Sequence, residues 1–521
     1  MRDTVLEAQD AGRLSDSPWR WTWTPLRPLG GLGLPAPIPT ITAHVLDLPS
    51  PVVGQSWSAR NPAGLADDVR EQYTRLTLAG HGIQGSYRLP TSPANSSSLL
   101  GEYGGWRRLG TRSAAIGRVA VERARQGDGN RSVFIAPDLS SPFVPTDTNA
   151  PATARTRVIL EGGQGVQVGR WRLGLALGYD GTSDNANADR STIALVRRSA
   201  VGAVGAGVSL ALGTAGRVGV SARRISRNET VNIFANPGTA RLYMLDGFVN
   251  VNPQDYVLEG TPFFRRADRR GFAFGIDASG TTWSTTWSAW ADREESDERQ
   301  IGAVATNTPV QSWSTSGYHA GTAAQRAFGD VLLSALATAT IQRGVSVRAV
   351  ATSRQFEADA SRLTMVSDAR WAQPRSKWGF AALLRADRQW QEATDRAART
   401  ATDITAWSPA GSVEVTRAVS DRWSYGADLS TGFYTPFATI PSINARGPSY
   451  LELLAPAFEV AAAPARTTAI SFSTRWQRRN SALVMRIAWS GTTATRRVLD
   501  AVYLPKGNRG LWSLSISSDR L

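Results

Sequence analysis

His44, His81 and His319 are the only histidines in the chain. Chemistry that needs a base titrating near neutral pH therefore has very few residues to draw on. His319 is close in sequence to Ser314 and Ser316, and a hydrolase site embedded in a larger scaffold is the nucleophilic arrangement these residues would allow. Proximity along a chain says little about a triad, and a histidine with no catalytic task is the plainer reading. None of the three has a metal-binding H-E-x-x-H spacing. Asp184, Asn185, Asn187 and Asp189 carry the oxygen donors calcium takes, but the EF-hand glycine and closing glutamate are missing, so they read as a solvated loop. Glu161-Gly162-Gly163-Gln164-Gly165 is glycine-rich yet precedes a strand turn rather than a helix, so it does not read as a phosphate loop. Cysteine is absent, which excludes disulfides, thiolate zinc sites and thiol nucleophiles, and fits export through an oxidising compartment. The expectation is a protein with no catalytic residue, no metal and no cofactor.

Charge and indole are more informative. The net charge is +15, and lysine occurs only at Lys377 and Lys506, so the remaining basic residues are arginine. Arginine attracts phosphate-bearing partners and can pair bidentately with lipopolysaccharide phosphates; codon bias explains the same excess equally well. The basic residues are dispersed, without a block or a recognition-helix pattern, so no nucleic-acid partner is expected. Of 18 tryptophans, Trp171, Trp283, Trp378, Trp390, Trp423, Trp476, Trp489 and Trp512 fall within or at the ends of alternating segments, as does Trp287. Rings at strand ends on the apolar phase read as an interfacial girdle. Sugar stacking in a secreted, soluble, all-β glycan-binding protein is the alternative.

The elements that must place these residues are strands. Trp378, Phe380, Ala382, Leu384, Ala386, Arg388 and Trp390 alternate with Gly379, Ala381, Leu383, Arg385, Asp387 and Gln389, and period two puts the two sets on opposite faces. Twelve residues separate the indoles, roughly 40 Å along a strand. Tilted by about 45°, that is roughly 28 Å along a membrane normal, close to the ~25 Å apolar band of a transmembrane barrel. Mean hydropathy is −0.23, which a barrel tolerates because lumen-facing residues dilute the apolar signal. No apolar run resembles a membrane-spanning helix, and Val201 to Gly216 is too glycine-rich for one and alternates like a strand.

Similar segments recur after about residue 100. Tight turns are expected at Gly169-Arg170, Gly213–Arg217, Gly280, Arg343-Gly344, Pro374–Lys377, Ser420-Asp421 and Arg478–Asn480. Long polar loops are expected at about 181–191, 226–268, 292–325, 392–409, 435–465 and 492–508. Short turns at one rim and long loops at the other indicate an antiparallel transmembrane β-barrel with periplasmic turns and extracellular loops. The segments support 14 to 18 strands, with 16 expected. Residues 1–60 include a proline-rich stretch and read as an extended segment, a plug or a periplasmic tail, ahead of a barrel at 61–521. Met1 to Pro18 lacks the basic and apolar regions of a signal peptide, and Leu521 is out of phase with Trp512, Leu514 and Ile516, where many barrels end on an in-phase aromatic. On lumen-facing phases, Arg172, Arg385 and Arg486 favour anionic solutes, with Asp387 on the same face.

Residues 57–190 resemble a large, uncharacterised family of outer-membrane β-barrel proteins of Gram-negative bacteria. The resemblance lies in Asn61-Pro62-Ala63-Gly64-Leu65, Tyr103-Gly104-Gly105-Trp106, Gly117-Arg118, Ser141-Pro142-Phe143 with Asp147, Glu161-Gly162-Gly163, and Gly169-Arg170-Trp171-Arg172-Leu173-Gly174. Family members follow that strand with an Asp-Pro-Arg-Pro element; here Asp189-Arg190 stands without the prolines. The resemblance implies outer-membrane location and barrel architecture, and no activity. Its partners would be outer-membrane lipid, lipopolysaccharide and the barrel-assembly machinery. A porin-like channel or a scaffold whose surface loops bind a ligand is the function expected.

Overall fold

The computed structural model describes residues 61–67, 72–85, 93–127, 143–147, 152–186, 193–213, 216–235, 242–246, 249–251, 263–302, 309–348, 354–372, 377–396, 400–439, 455–478, 481–494 and 508–520. A 3-10 helix, Pro62–Asp67, comes first. The strands follow in chain order: β1 (Gln72–Gly85), β2 (Asn95–Arg108), β3 (Ser113–Gln126), β4 (Phe143–Asp147), β5 (Thr153–Val168), β6 (Trp171–Ala186), β7 (Ile193–Ala211), β8 (Gly216–Ala235), β9 (Leu242–Asp246), β10 (Val249–Val251), β11 (Phe263–Thr282), β12 (Thr285–Gly302), β13 (Pro309–Phe328), β14 (Val331–Arg348), β15 (Arg354–Ala372), β16 (Trp378–Asp395), β17 (Thr400–Ala418), β18 (Trp423–Thr439), β19 (Ala465–Arg478), β20 (Ser481–Ala494) and β21 (Asn508–Arg520). Among the described residues one α-helix, α1 (Ala455–Ala462), lies between β18 and β19.

Eighteen of these strands form one sheet in which each pairs antiparallel with its neighbours in sequence. The sheet closes through β1 and β21, from Thr74↔Arg520 to Gly85↔Arg509, so no edge is left with unpaired backbone groups. Strands β4, β9 and β10 make a separate three-stranded sheet, built from the β3–β5 and β8–β11 connections. The count is 18, two above the expected 16 and, as in single-chain bacterial barrels, even. Gln72 of β1 is opposite Arg107 at the end of β2, so β1 begins and β21 ends at the rim carrying the tight turns.

Four of those turns place a glycine in the left-handed region, at Gly110, Gly169, Gly213 and Gly329. The β11–β12 turn does so without glycine, with Trp283 at φ 49° and Ser284 at φ 62°. Positive φ at both central residues matches the twist of the flanking strands. The turn expected at Gly280 therefore falls three residues later.

Two further expectations are corrected. Arg343-Gly344 is no turn: β14 runs through it, and its glycine serves a neighbour. A Cβ on Gly344 would lie 2.1 Å from the Trp313 ring, so the missing side chain is what lets that indole lie flat on the next strand. The long loops are also shorter than expected. Residues 292–302 belong to β12, 309–325 to β13 and 400–409 to β17. The wall extends past the apolar band, and its polar upper ends look like loop in sequence because no lipid face imposes alternation there.

The outward face carries the apolar side chains. Leu173, Leu175, Leu177, Phe274, Ile276, Leu384, Val413, Leu429, Phe472 and Ile487 are all exposed at the outer surface. A soluble protein seldom exposes more than a few hundred Å² of contiguous apolar surface, and this belt excludes a soluble glycan-binding protein. Its edges are marked by arginines against aromatic rings: Arg417 on Trp378 and Arg326 on Phe328 towards the short turns, and Arg388 on Trp407, Arg224 on Phe272, Arg293 on Tyr318 and Arg466 on Phe433 towards the long loops. Ring and guanidinium suit the boundary between hydrocarbon and headgroup.

Candidate functional site: the lumen and its two inserts

Where a soluble protein would have an apolar core, the inner face carries ion pairs. Arg118 on β3 bridges Glu102 on β2 at 2.7 Å and Glu161 on β5 at 3.0 Å. Asp184, fully buried, accepts from Arg155 at 2.9 Å and from Arg197 at 2.7 Å. Arg227 pairs with Glu229, and Arg223 with Glu294 at 3.3 Å. On β16, Asp387 accepts from Arg385 at 2.5 Å, from Arg362 across the β15 register at 2.9 Å, and from the Thr364 hydroxyl at 2.5 Å. Burial without partners would cost each of these groups several kcal/mol, so the wall satisfies them both along and across strands. Asp184 is accordingly an ion-pair acceptor in β6 rather than a solvated loop residue; Asn187 and Asp189 lie outside the described residues.

Arg385 and Asp387 both face inward and are buried, as their phase required, and Asp387 shares its one negative charge between Arg385 and Arg362. Arg486 faces the lumen from β20 and donates to the Ser471 hydroxyl at 3.1 Å, a neutral partner. Arg172 lies on the inner phase of β6, beside Gly174. The serine–histidine pairing is not assembled. His319 points inward, 3.1 Å from the Thr340 hydroxyl and 4.0 Å from Asp292. Ser314 and Ser316 belong to the opposite phase of β13, and Ser314 donates to Asp297. Period two makes that separation unavoidable, since odd and even residues of one strand cannot share a face.

Among the described residues, two segments fold into the lumen. The first is Asn61 with the helix Pro62–Asp67. Asn61 is fully buried and donates to Asp277 at 2.8 Å and to the Val220 carbonyl at 3.3 Å, while its own carbonyl oxygen Oδ1 accepts from the Ala63 amide at 3.0 Å. Beneath it the wall is stripped to backbone. A Cβ on Gly174 would fall 2.1 Å from the Pro62 carbonyl carbon, one on Gly207 2.0 Å from Asn61 Oδ1, and one on Gly165 2.6 Å from the Ala66 amide. Leu65 fills the space over Gly163 and Gly165. These glycines lie near the short-turn ends of β5, β6 and β7, so the segment sits in that part of the lumen.

The second insert is α1, near the long-loop end. Val460 and Ala463 pack on the inward residues Ala406, Ala410, Tyr434 and Ala465, and the Tyr434 hydroxyl donates to the Ala461 carbonyl at 2.7 Å. Small wall residues again make room, here alanine rather than glycine.

The eight tryptophans read as a girdle have clear placements. Trp171, Trp378 and Trp423 are outward and exposed at the short-turn ends of β6, β16 and β18, with Trp283 in a turn at the same rim. Trp476 is directly opposite Trp423. Trp489 and Trp512 face each other nearer the long-loop side, and Trp390 lies towards that end of β16. Trp106, Trp290 and Trp313 point inward and are buried. The signal for Trp290 and Trp313 is a glycine on the facing strand, Gly321 beneath Trp290 and Gly344 beneath Trp313, which becomes visible only once the register is known.

A closed, even-numbered antiparallel barrel with an apolar outer belt, short turns with the start of β1 and the end of β21 on one rim, and a polar lumen is an outer-membrane protein of Gram-negative bacteria. More particularly, the chain belongs to the family described as Family of unknown function (DUF6850), which matches residues 62–518. A comparison with curated proteins gave no match. Among solved structures it is similar to the ferric yersiniabactin uptake receptor FyuA from Yersinia pestis (9% identity, TM-score 0.41, covering 87% of this chain and 80% of that one). It is also similar to BauA, the ferric preacinetobactin receptor from Acinetobacter baumannii (10%, 0.38, 86% and 80%), and to a Pseudomonas aeruginosa FadL homologue (12%, 0.35, 88% and 92%).

Proposed function

We propose that this barrel is a transport channel whose lumen is gated from the short-turn side by the segment Asn61–Asp67. The observation that carries the reading is the seat. Gly165, Gly174 and Gly207 lie under one short segment on three successive strands, and none of them could bear a side chain with the segment in place. A barrel of 16 to 18 strands encloses an aqueous channel unless something fills it, and this segment has a site made to its shape. Its anchor is the Asn61 side chain, hydrogen-bonded to the wall and not covalently held, so it can leave and return.

The solutes that pass would be polar and small, with a preference for anions. That preference rests on Arg486, whose partner is a neutral hydroxyl, and on Arg385 with Arg362, whose two positive charges share the single carboxylate of Asp387. The outward tryptophans at both strand ends would hold the wall at its depth as a girdle. Lipid, lipopolysaccharide and the assembly machinery are the partners such a barrel needs. The small sheet of β4, β9 and β10 ties two long-loop connections together and favours, as a second reading, a ligand-binding platform at the outer mouth.

The test is Gly174→Val, alone and with Gly207→Val, in planar bilayers. Each wall substitution leaves the plug sequence intact and makes its seat impossible. The expected result is a single-channel conductance several-fold above that of the unmodified protein, with heat-modifiable migration retained as evidence of a folded barrel. Folded variants with unchanged conductance overturn the gate. Cation-selective conductance overturns the anion preference separately.

A further inference from the structure

The outer wall carries a depression that transport through the lumen does not explain. Outward residues of β2, β3 and β5 form a register-aligned row of three glycines, Gly105↔Gly117 and Gly117↔Gly162. The row continues through Leu177 and Val204 to Arg224 on β8. The result is a groove of about 970 Å³ on the membrane face. Its sides include Tyr103, Leu160 and Tyr179, all exposed. Gly117 and Gly202 have open space where a Cβ would be.

The groove has a direction. Gly105 is three residues from the end of β2 at Arg108, whereas Arg224 is eight residues from the start of β8 at Gly216. The floor therefore climbs from near the short-turn rim to the outer edge of the apolar belt. Five interstrand steps of about 4.8 Å make it roughly 24 Å long, or roughly 17 Å along the normal at a 45° tilt, about half of the ~30 Å hydrocarbon core. That is the depth of one leaflet. Tyr179 leans over Gly181, where a Cβ would meet its hydroxyl at 2.5 Å, so its polar tip points to the outer end.

The outer end is basic. Arg224 is exposed and 5.5 Å from the Phe272 ring centroid. Arg270, exposed on β11, is opposite Ser226, two residues above Arg224. The outward acids nearby each have a donor: Asp268 is held by Arg266 and Asn228, Glu295 by Arg293, and Asp297, opposite Arg270 on β12, by the Ser314 hydroxyl. Two like charges set diagonally repel each other unless an anion lies between them, and stacked arginines offer a planar edge suited to phosphate.

We propose that this groove is a binding site for one lipopolysaccharide molecule of the outer leaflet. An acyl chain lies along the glycine floor, and a lipid A phosphate sits between Arg224 and Arg270. Charge complementarity and orientation select this occupant: the arginines are at the outer edge, where phosphorylated glycolipid headgroups are, and the apolar floor extends one leaflet inward. A second copy of the chain would bring two such arginine pairs together and is disfavoured for that reason.

The experiment is native mass spectrometry of the full chain in detergent, offered lipopolysaccharide and phosphatidylglycerol together. One lipopolysaccharide is expected to be retained per barrel. Retention should fall about tenfold in Arg224→Gln/Arg270→Gln and similarly in Gly117→Leu, which fills the floor. Gly202→Ala, which adds one methyl in open space, should retain more than Gly117→Leu. The arginine variant leaves the floor untouched, so it reads out the phosphate contact even where Gly117→Leu fails to fold. Undiminished retention in the folded arginine variant overturns the proposal, as does phosphatidylglycerol outcompeting lipopolysaccharide. A dimer bridged through this face, seen by cross-linking near Gly117, overturns it in favour of a second copy. None of these outcomes bears on channel conductance, so the gate and the lipid site can fail independently.

Discussion

At the scale of single residues, the inner wall is a set of cross-strand charges whose worth depends on burial. Asp387 is 1% exposed and accepts from two arginines and a threonine, so removing its charge strands Arg385 in the wall. Breaking a buried pair by deleting one partner costs about 3–5 kcal/mol. Because Arg362 is 44% exposed and already partly hydrated, Asp387→Asn should come in at about 3 kcal/mol, measured by urea unfolding in detergent. The outward pair Arg293–Glu295, with both side chains more than half exposed, provides the contrast: Glu295→Gln should change stability by less than about 1 kcal/mol. Equal losses from the two would mean that burial does not set the energetics of this wall. The sequence allowed half of this site to be read. Arg385 and Asp387 share a face by spacing alone, but Arg362 arrives from β15 through a register that no local pattern specifies. The same limit explains His319, whose neighbours in sequence are on the wrong face and whose real neighbours, Asp292 and Thr340, are on adjacent strands.

At the scale of elements, the informative residue is glycine, which the sequence offers with two meanings. Gly169, Gly213 and Gly329 take positive φ in turns, and two of these turns were legible. Gly344 carries the same letter in mid-strand for the sake of Trp313. The two meanings separate experimentally. Gly344→Val would place a branched side chain inside the indole, and overpacking of that kind costs about 1–3 kcal/mol. Trp313→Ala should relieve most of that cost in a double-mutant cycle, since the clash disappears with the ring. A turn glycine would show no such coupling, so additive effects would return Gly344 to the role of a strand breaker. Strand ends are hard to see in the sequence for a related reason. The outward residues Arg270, Asp268 and Arg266 of β11 continue the strand above the belt, and without an apolar face to alternate against they are indistinguishable from loop.

At the scale of the whole molecule, the two inserts occupy one lumen at different depths. The Asn61–Asp67 segment sits low, over Gly174, three residues from the start of β6. Helix α1 sits high, on Tyr434, five residues from the end of β18. Constrictions at different depths act in series, and the resistances of series elements add. Releasing one leaves the other limiting, so either release alone yields less than its full effect on current. Tyr434→Phe removes the hydroxyl that holds the Ala461 carbonyl while keeping the ring packed, a loss of about 1 kcal/mol with one buried acceptor left unpaired. It should loosen α1 without unfolding the wall. Combined with Gly174→Val, the series arrangement requires a conductance gain larger than the sum of the two single gains. Gains that merely sum would mean that the inserts obstruct separate paths side by side, and the lumen would then have to be described as two passages divided between opposite walls.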